Sequence, residues 1–263
     1  MSEERKHDIE IEIAAPGDLV WKAITEAEGL MRWFAPEVRV EPGEGGSVFL
    51  SWGQGMEGKA PITVWEAGKR FAWTEDHGGR PRVVEIVLEG EGGSTRLRLV
   101  HSGFGAEASF DTEYESTSGG WHTFLAMLRY GLEHHPGESA ANVTVLRMSQ
   151  ASQPDLWLRA REAAGLPGDP IEGAPCRVVL GGTGFDGIVA RSPRPGYLCI
   201  GAKGSNALVS IFAESCGGAS VLTAVAILFG EAASRRDTIH AALTAYADEV
   251  VSGLGAGAAG SEQ

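Results

Sequence analysis

Residues 8–30 read DIEIEIAAPGDLVWKAITEAEGL, and a weaker copy returns at 142–166 as NVTVLRMSQASQPDLWLRAREAAGL. A shift of 136 positions lays Trp21 on Trp157, Glu26 on Glu162, Ala27 on Ala163 and Gly29-Leu30 on Gly165-Leu166. In the first copy Ile9, Ile11 and Ile13 alternate with Glu10 and Glu12, the period of a strand with one buried face. Pro16 and Gly17 break that strand, and Asp18 stands where a helix cap is needed. Leu19, Val20, Ala23 and Ile24 then form an apolar stripe that stops at Gly29. Two tandem units of one architecture are the simplest expectation.

Beyond this opening, short apolar stretches alternate with turn residues. VRVE (38–41), SVFLSW (47–52), APITVWE (60–66), RFAWTE (70–75), RVVEIVLEG (82–90) and TRLRLVH (95–101) read as strands. Their close spacing and Gly-rich turns predict an antiparallel meander, not a parallel sheet with crossovers. Ser118-Gly119-Gly120 is then expected to open a helix on whose one face Trp121, Leu125, Leu128 and Leu132 align. The plan is α+β, with the long helix across the concave face of the sheet and an apolar space between them.

The order of these motifs carries a family resemblance. The strand followed by P-x-x-V-W-K-A-I-T, the RWF after the first helix, GGSVFLSW, VWEAGKRFAWTE, STRLRLVHSGF and the final GGW…L…L stand in sequence over about residues 7–135. Together they resemble the domain of the activator of heat-shock-protein ATPase, the AHSA-type branch of the START-related helix-grip superfamily (SRPBCC). The resemblance implies a helix-grip fold with a hydrophobic cavity. It also implies members that bind apolar small molecules, assist partner proteins or occasionally act as enzymes, with no shared catalytic motif.

The second half repeats the plan. RVVLGG (177–182), GIVARS (187–192), GYLCIG (196–201), ALVSIFAES (207–215) and SVLTAVAILFG (220–230) precede a helix from about Ser234 to Val251. The distance from Trp157 to Tyr246 is shorter than from Trp21 to Tyr130, so this unit is expected to lack a hairpin or some loop length. The expected organisation is an AHSA-type helix-grip domain at 1–138, a degenerate second unit at 139–252 and a flexible tail at 253–263. The rival arrangement is a C-terminal extension packed on one domain.

Charge and composition bound the partners. The chain of 263 residues carries a formal charge of −13. Positions 1–138 hold 24 acids against 13 bases, and the rest hold 11 against 9. Such a chain repels phosphate backbones and anionic lipid, so neither nucleic acid nor a membrane surface is an expected partner. The charged start MSEERKHDIE has no signal-like apolar segment, and the three cysteines are scattered. A reducing, cytoplasmic setting fits both observations.

Gly182-x-Gly184-x-x-Gly187 and Gly53-x-Gly55-x-x-Gly58 mimic phosphate loops, but neither leads into a helix, and a hairpin turn is the better reading. His134 and His135 are adjacent at a helix end, where they complement its dipole and do not share an ion. Asp111, Glu113 and Glu115 alternate as a solvated loop would. No metal, cofactor or catalytic residue is expected.

The aromatic residues concentrate in the first half, and half of them are expected to line a cavity. The candidate ligand-binding residues are Trp33, Phe34, Trp52, Phe71, Trp73, Leu99, His101, Phe104, Trp121, His122 and Leu125. The expected activity is non-catalytic binding of an apolar or aromatic small molecule. A co-chaperone-like or regulatory module with a protein partner is the alternative. A cyclase-, hydratase- or hydrolase-type enzyme using a cavity His or acid is a third.

Overall fold

The Ile/Glu alternation becomes β1 (Arg5–Ile13), whose even positions are exposed and whose Ile9 and Ile13 are buried. A computed structural model describes residues 4–255 other than 54, 78, 91 and 217. After β1 come α1 (Gly17–Thr25) and α2 (Ala27–Met31). The meander then runs through β2 (Glu37–Glu41), β3 (Ser47–Ser51), β4 (Glu57–Glu66), β5 (Arg70–His77), β6 (Arg80–Glu89) and β7 (Thr95–Phe104). The long helix is α3 (Asp111–His134). All neighbours are antiparallel, in the order β1-β7-β6-β5-β4-β3-β2. Strand pairing of the last strand with the first closes the meander, as a helix-grip sheet requires.

The second half has β8 (Ala140–Ser149), α4 (Gln153–Ala163) and β9 (Pro175–Leu180). It continues through β10 (Thr183–Arg191), β11 (Tyr197–Ala202), β12 (Ala207–Cys216), β13 (Ala219–Phe229) and α5 (Arg236–Gly255). Its sheet order is β8-β13-β12-β11-β10-β9, one strand fewer than the first sheet. The shortfall is therefore a single strand, where a hairpin or loop length was expected. The architecture is α+β, two tandem helix-grip units. Both copies of the opening motif become strand then helix, and Trp21 and Trp157 hold the fifth position of α1 and α4. Their environments differ. Trp157 is buried and its Nε1 donates to Asp169 Oδ1 at 3.0 Å, whereas half-buried Trp21 meets Trp65 edge-on at 5.4 Å.

The chain divides into two compact units, and the division does not follow chain order. One comprises residues 1–118 and 128–137, and the other 119–127 and 138–263. The middle of α3 thus groups with the second unit and its two ends with the first.

In the second unit, Leu198, Ile200, Val209, Ile211, Leu222 and Ala224 face a core shared with Trp157 of α4 and Ile239, Leu243 and Tyr246 of α5. Tyr246 Oη donates to the Ala160 carbonyl at 2.8 Å and ties α5 to α4. The alternate residues of these strands are buried too, which is why β12 and β13 read as continuous apolar runs. Phe212 on that other side meets Phe124 of α3 edge-on at 5.9 Å.

Two sequence expectations about α3 need correcting. Gly119 and Gly120 do not start the helix; it begins eight residues earlier, after a 3-10 turn at Ala108–Phe110. The alternating acids Asp111, Glu113 and Glu115 therefore lie in its first turns, not in a loop, and their spacing spreads them around the axis. Glycine inside a helix costs about 1 kcal/mol relative to alanine. The compensation is close approach: a methyl group at Gly119 would collide with the Tyr197 ring, and one at Gly120 would stand 3.3 Å from Glu214 Oε1. From Gly119 to Tyr130 only Arg129 is exposed, so the single apolar stripe read from the sequence is in fact burial almost all round.

Gly119→Ala should therefore destabilise the protein by about 1–3 kcal/mol through overpacking, despite the better helix former. Urea unfolding of the full chain measures it. In a Tyr197→Leu background the same change should become neutral or stabilising. A stabilised Gly119→Ala protein with Tyr197 intact would show that the approach is not tight.

The helix expected to end at Val251 extends to Gly255, so residues 253–255 of the expected tail are its last turn. The remainder, 256–263, lies outside the described residues. Both Gly-rich lookalikes are hairpin turns, with Gly53, Gly55, Gly181 and Gly182 at positive φ.

Candidate functional site

Strand register assembles the site in the first unit. His7 pairs with His101, His101 with Val84, Val84 with Trp73, and Trp73 with Ile62. The next row is Ile9, Leu99, Ile86, Phe71 and Trp65. Residues opposite one another across a ladder share a face, so these rows place Phe71, Trp73, Leu99 and His101 on one side of the sheet. Phe71, Trp73 and Leu99 are at most 1% exposed.

A line of rings crosses this side. Trp65 meets Phe71 at 5.5 Å, Phe71 meets Trp73 at 5.4 Å, and Phe34 lies 6.4 Å from Trp73. Phe34 also stacks on Trp33 at 5.1 Å and takes Trp52 edge-on at 5.2 Å. The indole N–H groups are satisfied locally. Trp33 donates to the Ala23 carbonyl at 3.0 Å, Trp52 to the Phe34 carbonyl at 3.0 Å, and Trp73 to Glu75 Oε1 at 2.9 Å. Offset and edge-on geometries of this kind add to the stabilisation from burial alone.

At one end the line gives way to polar groups. His101 and His7 each meet Phe104 edge-on, at 4.7 and 4.9 Å, and the Tyr114 ring of α3 stacks on His7 at 4.0 Å. Arg82, 3% exposed, holds its guanidinium 4.0 Å over Phe104 and pairs with Glu113 of α3 at 2.9 Å. Further along the same helix end, Asp111 pairs with Arg5 and Tyr114 Oη donates to the Lys6 carbonyl at 2.9 Å. Asp111 and Glu113 thus clamp α3 onto β1 and β6. Burial, reinforced by the neighbouring His7, Arg82 and His77, pushes the His101 imidazole down to about 3, so it is neutral at ordinary pH.

The structure brings together Trp33, Phe34, Trp52, Phe71 and Trp73 as one group, with Leu99 in the adjoining row and His101 and Phe104 at the polar end. Trp121, His122 and Leu125 lie within residues 119–127, which belong to the second unit. There Trp121 is buried and meets Phe124 edge-on at 6.4 Å, and Leu125 is 1% exposed. His122 Nδ1 lies 3.3 Å from Arg191, which itself pairs with Glu172. Sequence reasoning missed His7, Arg82 and Tyr114. The first two carried a signal: His7 is in phase with Ile9 and Ile13, and Arg82 with Val84, Ile86 and Leu88.

A separate cleft of about 470 Å3 opens where Gly17 and Thr95 meet the β4–β5 turn, lined also by Glu66, Lys69, Arg70 and Glu89. Its charges are of both signs, and Arg70 is already engaged by Glu85 and Glu66. No group of three or more His, Cys, Asp or Glu among the described residues is placed to hold a metal ion. No helix among them is long and apolar enough to cross a membrane.

The sheet order, the ring line and the closing helix define an SRPBCC-type domain. Residues 14–133 match the family described as activator of Hsp90 ATPase homolog 1-like protein, and over those residues the chain belongs to that family. CalU16 from Micromonospora echinospora is 30% identical over 48% of this chain and 74% of its own, with a TM-score of 0.40. The Aha1 dimer from Colwellia psychrerythraea is 20% identical over 51% of this chain and 99% of its own, with a TM-score of 0.43. DynU16, from the dynemicin biosynthetic locus, is 19% identical and covers 94% of this chain and 98% of its own, with a TM-score of 0.43. No curated protein matches the chain.

Proposed function

We propose that the first unit binds an apolar, aromatic small molecule against the ring-bearing side of its sheet, without covalent chemistry. The observation that supports this most is the line from Trp65 through Phe71, Trp73 and Phe34 to Trp33 and Trp52, ended by His101 and Arg82. Flat apolar rings offer stacking area, and one polar end gives a ligand a direction. Membership of the AHSA-type family, in which small-molecule and protein binding both occur, is consistent with it. The enzymatic alternative is weaker, because an imidazole held neutral down to about pH 3 is a poor base near neutrality.

Native mass spectrometry of the purified full chain should show an added mass of a few hundred daltons or, after stripping, uptake of the neutral dye N-phenyl-1-naphthylamine with quenching of tryptophan emission. Val84→Phe, in the row of Trp73, should abolish dye uptake while leaving unfolding cooperative. A chain that carries no molecule and leaves its tryptophans unquenched would overturn the reading in favour of a protein-binding role.

A further inference from the structure

Glu214 lies in the second unit near the end of β12, in phase with Ser210 and Phe212 on the side that meets the middle of α3. Tyr197 of β11 is fully buried, stacks parallel to Phe212 at 6.3 Å and donates its hydroxyl to Glu214 Oε1 at 3.0 Å. The Tyr197 ring fills the place of a side chain at Gly119, and the carboxyl of Glu214 lies against Gly120. Two helix positions have thus given up their side chains to seat a phenol and a carboxyl.

We propose that this pair is a proton-operated latch: with the Glu214 carboxyl neutral, the 119–127 segment of α3 is closed on β11 and β12, and ionisation loosens it. A neutral carboxyl accepts the Tyr197 hydrogen bond and tolerates the apolar seat. A carboxylate needs more hydration than the glycine-lined contact admits.

The surrounding groups are consistent with this. Tyr197 faces Glu214 from β11, and Arg194, in the connection before β11, lies 3.5 Å from the Tyr197 hydroxyl. On β13 the register partner is Val221, which is apolar. From α3 come the two glycines, while His122, two residues beyond Gly120, is turned to Arg191. By exposed area Glu214 is part-buried, yet protein atoms surround its carboxyl, and that crowding governs its ionisation. Burial pushes the carboxyl up to about 7, against smaller opposing effects from Tyr197 and Arg194. The folded value lies above the ordinary 4.5, so the stabilisation is complete below about pH 4.5 and is lost as pH rises through 7.

Amide hydrogen exchange of residues 119–127 in the full chain, corrected for intrinsic rates, reads the latch directly. Opening should rise about tenfold between pH 6 and 8. In Glu214→Gln it should be independent of pH. Tyr197→Phe and Arg194→Gln remove groups that favour the carboxylate, so each should move the midpoint to higher pH, a shift that a purely structural role would not produce. They also keep the proposal testable if Glu214→Gln does not fold. Exchange that stays constant from pH 6 to 8, or that rises equally in Glu214→Gln, would overturn it.

Discussion

Trp73→Ala should lower the stability of the full chain by about 3–5 kcal/mol, as measured by urea unfolding. Trp73 is 1% exposed, sits in register between Ile62 and Val84, and touches both Phe71 and Phe34. Its removal deletes a large apolar area and leaves a void that the strand backbones cannot close. The size of the loss also bears on the ligand. If Trp73 is walled in by protein the full cost appears, whereas a side chain that already borders a cavity has fewer partners to lose. A loss below about 1 kcal/mol would place Trp73 at the edge of an open space.

Acid should unfold this protein through His101. The folded imidazole is held at about 3 against an ordinary 6.5, so below pH 6.5 the unfolded chain binds a proton that the folded chain refuses. Stability is therefore intact above 6.5 and drains away as pH falls, by on the order of 4 kcal/mol at pH 3. Carboxylates titrate in the same range, and comparison with His101→Leu separates the contributions. The difference in unfolding free energy between the two proteins should change steadily between pH 7 and 4 in favour of the variant. Parallel pH profiles would mean that His101 takes up its proton while folded.

Much of the first unit was readable because its strands carry their burial in their alternation. Ile9 to Ile13, Phe71 and Trp73, and Leu97 to His101 each show one face at period two, and register then sets them in common rows. Where the reading failed, a tertiary contact overrode a local preference. Residues 111–118 have no apolar stripe and run into Gly-Gly, so nothing local marks a helix there. Ion pairs to Arg5 and Arg82 are what hold it. Trp121, His122 and Leu125 were placed by helix periodicity alone, which orders residues around an axis. The polar end was hidden differently. Arg82 belongs to a residue type seldom buried and His7 to one of intermediate burial, although their phase put them on the inner face.

The lost strand also has a consequence of parity. In an all-antiparallel sheet each step sideways reverses the chain direction. Six steps separate β1 from β2, so those two strands run the same way; five separate β8 from β9, so these run opposite ways. The chain leaving β1 must be carried back along the sheet before β2 can begin, and α1 and α2 do this with only residues 14–16, 26 and 32–36 outside them. The chain leaving β8 must finish near the level where it started, so what α4 carries away the stretch 164–174 has to bring back. That stretch runs alongside the sheet, with Ala164 accepting from Val179 and Gly173 donating to Val189. Strands in such a sheet can be inserted or removed without rerouting only in pairs. An odd change must be answered in the helix-bearing connection, and the turns within the meander cannot absorb it.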